Sequence, residues 1–194
     1  MSFTDTSNLT SWTDDLPVCW QSGIGFASNE LYRKDGRRTE MHPVEDRSFH
    51  FSVDEFGIRV YGVFDGFSGE KVSDFIAKKL PAELCLGQVS QNTHDEAVRE
   101  VLRQSFKSID QDYFNIIGDK LALRMEKREQ NPSDPDLVQL DLETLSGASA
   151  TVSVLIGNKK LFVANVGDVR AVVCTLNSDG EVRVTYTTFL IKIS

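Results

Sequence analysis

Apolar and polar residues alternate through Phe49, Phe51 and Val53, and a second β-rich run covers residues 58–64. Residues 54–57 between them read as a turn, so the two runs make a hairpin. Val72, Phe75, Ile76, Leu80 and Leu84 then recur at helical spacing. Pro81 is expected to kink that helix or to end it and start another turn. Thr93-His94-Asp95-Glu96 has the form of a capping box, with Thr93 capping and Glu96 reaching back. Behind it Val98, Val101, Leu102, Phe106, Ile109, Tyr113 and Ile117 form the stripe of a long amphipathic helix. Residues 120–142 are charged and interrupted by Asn131-Pro132-Ser133-Asp134-Pro135, the pattern of a surface loop or disordered insert. Strand patterns return at 150–156, 161–166, 170–176 and 181–187, with turns between them, as an antiparallel meander. Strands, then long helices, then strands predict an α+β fold without alternating βαβ units.

Composition narrows the classes. The chain has 194 residues, enough for one domain with a real core. Its 29 acidic and 21 basic residues give a net charge of −8, which excludes nonspecific binding to nucleic acid or to an anionic membrane. No stretch reaches membrane-spanning length, and residues 1–10 are polar, so they are expected to be disordered and to hold no signal peptide. Cys19, Cys85 and Cys174 are widely separated and read as buried, reduced thiols of a cytoplasmic protein. Gly23-Ile24-Gly25 lacks the third glycine and preceding strand of a dinucleotide loop.

The chemistry concentrates at Val63-Phe64-Asp65-Gly66-Phe67-Ser68-Gly69. Asp65-Gly66 reads either as a plain turn or as a carboxylate and carbonyl presented at a sheet edge to a hard cation. The hairpin carries Glu45-Asp46, at the start of its first strand, toward Asp65 at the end of its second. That makes a carboxylate cluster, which is either a solvated rim or a divalent-metal site.

Val63-Phe64-Asp65-Gly66-x-x-Gly69 resembles the Asp-Gly-His-Gly-Gly signature of the metal-dependent, PPM-type Ser/Thr protein phosphatases. Glu45-Asp46, Ser146-Gly147-Ala148-Ser149-Ala150 and Asn165-Val166-Gly167-Asp168-Val169-Arg170 are similar to further motifs of that family, in the same order. The resemblance implies an α-β-β-α sandwich over residues 11–187, with 188–194 a divergent tail and the domain C-terminally truncated. It implies that Asp65 bridges two Mg²⁺ or Mn²⁺ ions, with the Gly66 carbonyl on one and Glu45 on the other or its waters. The phosphate-binding arginine would be Arg38, with Arg37 as the alternative.

Ser11-Trp12-Thr13-Asp14-Asp15-Leu16-Pro17 and Thr39-Glu40-Met41-His42-Pro43 resemble pseudophosphatase subunits that bind and activate the TGF-β-activated kinase. Phe67 stands where active PPM phosphatases carry a proton-donating histidine, and a phenyl ring has no proton to give. These features lead to an expectation of a catalytically inactive adaptor or scaffold with no catalytic residue. Asp65, Gly66 and Glu45 would then be vestigial ligands, with no cofactor required and at most residual Mg²⁺ or Mn²⁺. The implied partners are a kinase complex of that type and adaptor proteins. The alternative is a metal-dependent phosphatase hydrolysing phosphoserine and phosphothreonine.

Overall fold

The computed structural model describes residues 44–85, 89–90, 92–157 and 159–187. Its elements are β1 (Arg47–Val53), a 3-10 turn (Asp54–Phe56), β2 (Ile58–Phe67), α1 (Lys71–Cys85), α2 (Asp95–Gln130) and α3 (Asp136–Thr144). β3 (Gly147–Ile156), β4 (Lys160–Val166), β5 (Ala171–Leu176) and β6 (Val182–Thr187) follow. β1 to β4 form one antiparallel sheet in chain order, whereas β5 pairs only with β6. The α+β class is as expected. The single meander is not: Gly167, at φ 88°, turns the chain away after β4, and β5–β6 becomes a separate ribbon.

Period-two alternation decides which face of the sheet is core. Phe49 and Phe51 of β1, Val60 and Phe64 of β2, and Val152 and Val154 of β3 are buried in one cluster with residues of α1 and α2. The Phe49 ring tilts against Phe51 at 5.5 Å and Phe64 at 5.4 Å between centroids. Gly62 makes room for both rings, since a Cβ there would lie 2.7 Å from Phe49 and 2.9 Å from Phe64.

Three expectations about the helices are corrected. Pro81 lies inside α1 and does not end it. A proline in a helix interior costs about 3 kcal/mol, but Leu80 and Pro81 are fully buried and Ile76, Ala77 and Leu84 join the same core. Packing outweighs the local penalty. The capping box does not form either: His94 takes the N-cap position of α2 without a side-chain bond, and Thr93 Oγ1 accepts from the Ser90 N–H at 2.9 Å.

The expected loop at 120–142 is mostly helix, because α2 runs 36 residues to Gln130 and α3 returns along it. The charges that made this stretch look like solvent-exposed loop are paired between the two helices. Lys120 meets Glu143 at 2.8 Å, Arg124 meets Asp141 at 2.5 Å, and Lys127 meets Asp136 at 2.5 Å. Leu137 and Leu140 bury the apolar side of α3.

Cys174 is a free, exposed thiol, contrary to the buried one expected. Cys19, the Trp12 segment and the side chain of Cys85 lie outside the described residues. Among the described residues no helix is long and apolar enough to cross a membrane.

Candidate metal centre

The β1–β2 register runs from Val53 opposite Ile58 to Arg47 opposite Phe64. One step farther places Asp46 opposite Asp65, and a second places Glu45 opposite Gly66. β2 does not turn at Asp65-Gly66. Its ladder with β3 continues through Asp65–Ser149, Gly66–Ala148 and Phe67–Gly147. The plain-turn reading therefore fails: the chain turns only at Ser68-Gly69, with φ of 59° and 106°.

Cross-strand partners share a face, and Asp65 alternates with the buried Phe64 and Gly66. Asp46, Asp65 and Ser149 thus form a row at one end of the sheet, on the face turned from the core. Asp168 extends the row from the turn after β4, its carboxylate accepting from Ser149 Oγ at 2.8 Å. Gly167 must be glycine for two reasons: its φ is 88°, and a Cβ would strike Ser149.

The backbone under this row is fixed by α1 and Arg47. Ser73, fully buried on α1, donates its hydroxyl to the Glu45 carbonyl and lies 3.0 Å from the Glu70 carbonyl. A side chain at Gly66 would collide with that same Glu45 carbonyl and reach 2.9 Å from Ser73 Oγ. Arg47 donates to the carbonyls of Val44 and Asp46, both at 2.9 Å. It also pairs with Glu70 of the loop before α1 at 2.6 Å.

The carboxyl of Asp46 is held above the ordinary carboxylate range. Partial burial is the largest cause, followed by the negative charge of Asp65 and a hydrogen bond shared with the Asp65 carboxyl. The Gly66 N–H, donating to Asp46, opposes the rise, and Glu45 adds the smallest repulsion. Two carboxylates within hydrogen-bonding reach cannot both ionise comfortably without a cation between them.

The expected site residues are thus distributed unevenly. Asp65 belongs to the carboxylate pair, and Gly66 supports it through its N–H. The carboxylate of Glu45 accepts from the Gly69 N–H at 2.9 Å and steadies the Ser68-Gly69 turn. Arg38 and Arg37 lie outside the described residues. Asp46 belongs to the expected carboxylate cluster, although the resemblance assigns ligand roles only to Asp65, Gly66 and Glu45. The signal for it was available, since a turn at 54–57 fixes the register that sets it opposite Asp65. Ser149 and Asp168 lie in motifs the sequence shows but receive no role there, and Ser73 and Arg47 carry no motif, because the roles of all four depend on contacts across strands and onto α1.

Among the described residues no three His, Cys, Asp or Glu side chains converge around one point. Two carboxylates nonetheless fit a small hard cation. Mg²⁺ is commonly held by one or two carboxylates and keeps several waters, and the row offers oxygen donors only. A cation beside Asp46 and Asp65 would relieve the repulsion that raises the Asp46 pKa.

The chain matches the protein phosphatase 2C family over residues 31–188. Protein phosphatase 2C 1 of Paramecium tetraurelia is 30% identical over 159 residues, covering 82% of this chain and 46% of the relative. Probable protein phosphatase 2C 4 of the same organism is 29% identical over 161 residues, covering 83% and 46%. Probable protein phosphatase 2C 45 of Oryza sativa subsp. japonica is 28% identical over 170 residues, covering 84% and 48%. The chain spans about half the length of these relatives.

These findings correct the expectation of a non-enzymatic pseudophosphatase. The matched proteins are named as phosphatases, and nothing among them points to a kinase-activating subunit. The expectation that no cofactor is required loses its support with it. By its match over residues 31–188, the chain belongs to the protein phosphatase 2C family.

Proposed function

We propose that the protein is a metal-dependent phosphatase acting on phosphoserine and phosphothreonine in other proteins, with Asp46 and Asp65 as its metal-holding pair. The observation that carries this reading is the pair itself: two carboxyl groups within interaction range at the sheet end, on a backbone pinned by Ser73 and Arg47. Mg²⁺ or Mn²⁺ bound there would neutralise phosphoryl charge and lower the pKa of bound water.

The chain's own residues supply the positioning. Gly66 orients the Asp46 carboxylate through its N–H. Ser149, hydrogen-bonded to Asp168, keeps the polar row continuous beyond Asp65. Phe67 presents a half-exposed ring, 52% accessible, beside the site and holds no proton. The leaving alkoxide therefore takes its proton from solvent, which makes the reaction slow relative to one assisted by a general acid.

The test is phosphate release from a phosphothreonine peptide with Mn²⁺, with EDTA, and with Asp65→Asn. The reading predicts slow turnover that needs Mn²⁺ and falls by roughly 10²-fold or more in the variant, since metal assistance supplies several kcal/mol. Turnover unchanged by EDTA or by Asp65→Asn would contradict it.

A further inference from the structure

A cavity of about 260 Å³ lies between α1, α2 and the start of β3, on the core side of the sheet. Its cause is legible in β3. The helix-facing positions are filled by Val152, Val154 and Ile156 farther along the strand, but by Ala148 and Ala150 at its beginning. Phe106 and Ile109 of α2 span the gap without filling it. Small residues beneath a helix leave a hollow.

An apolar cavity of about 150 Å³ suffices to bind benzene, so this one has room for a larger body. Its rim is chemically one-sided. Asp110 is the single charged residue among its described lining, and it is exposed. Beside it the Tyr113 hydroxyl faces Ser146 Oγ at 3.4 Å, offering a second oxygen acceptor. Apolar walls with an anionic, acceptor-bearing mouth suit a ligand with an apolar body and a cationic head.

We propose that this cavity binds a small apolar amine. The site is separate from the carboxylate row and does not depend on the phosphatase reading. Phe67 connects the two regions structurally, forming part of the cavity wall two residues after Asp65 on β2.

The test titrates 2-phenylethylamine, and separately phenylacetate, into the ¹⁵N-labelled chain while amide shifts of Phe106, Asp110, Ala148 and Ala150 are followed. The expected result is saturable shifts at these residues for the amine, with phenylacetate about tenfold weaker through attraction and repulsion at Asp110. Ala148→Leu, which fills the hollow, abolishes the shifts. Asp110→Asn, at an exposed position that leaves packing intact, brings the two probes to within about twofold. The proposal is overturned if the folded chain shows no saturable shift with the amine, or if phenylacetate binds as tightly. Should Ala148→Leu fail to fold, the Asp110→Asn comparison decides, and an undiminished preference for the amine there overturns the proposal.

Discussion

The two faces of the four-stranded sheet use the same strands for opposite purposes. On β2, Val60, Gly62, Phe64 and Gly66 turn inward and are buried, while Val63, Asp65 and Phe67 between them are exposed. The inner face is secured by aromatic contacts and by α1 and α2. The outer face, at one end, brings like charges together and leaves Asp46 with a raised pKa. The inner face holds the backbone rigid enough for the outer face to carry an arrangement unfavourable in itself. A carboxylate pair can persist on a strand whose register it does not set.

That contrast predicts that inner-face changes cost stability and outer-face changes alter chemistry. Phe64→Ala should destabilise the fold by about 3–5 kcal/mol, as loss of a buried aromatic generally does, measured from the urea midpoint. A cost below 1 kcal/mol would mean the inner face is not the support described. Phe67→His should leave stability nearly unchanged and raise Mn²⁺-dependent phosphate release by roughly 10²-fold, the low end of what a general acid contributes. Its rate should also gain a dependence on pH near the histidine range.

Gly66→Ala joins the two faces, because its methyl would push against the Glu45 carbonyl. A destabilisation of about 1–3 kcal/mol is expected, with Mn²⁺ affinity falling alongside it as Asp46 is displaced.

The smallest effect belongs to a surface cluster that ties α3 to α1 and α2. Glu143 accepts from Lys120, Gln139 and Lys71, which hold its carboxyl down at about 2 against the usual 4.5. Since the folded state lowers this pKa, its stabilising contribution is present above about 4.5 and is lost as pH falls toward 2. Glu143→Gln should therefore lower the urea midpoint slightly at pH 7, less so in high salt, and least at pH 2.

Much of the sheet was legible in the sequence. Phe49, Phe51 and Val53 alternate cleanly, and the turn after them sets the hairpin register. The features that escaped are those where a partner overrides a local signal. Asp65-Gly66 looks like a turn until Ser149 and Ala148 pair with it. Pro81 looks like a helix stop until its burial is seen. Lys120, Arg124 and Lys127 look like a solvated loop until Glu143, Asp141 and Asp136 answer them from α3. For the site, Asp65 and Gly66 carried a local motif. Asp46 needed the register, and Ser73 and Arg47 needed the packing of α1 against the sheet end.

The account rests on Asp46 and Asp65 acting as one cation-holding pair. Calorimetric titration of the chain with Mn²⁺ tests this directly, with Asp46→Asn and Asp65→Asn as separate variants. The prediction is saturable binding, lost in either variant, while both variants unfold at urea concentrations no lower than the parent because a repulsion has been removed. A folded chain that takes up no Mn²⁺, or that binds it equally well without Asp46, would contradict the account.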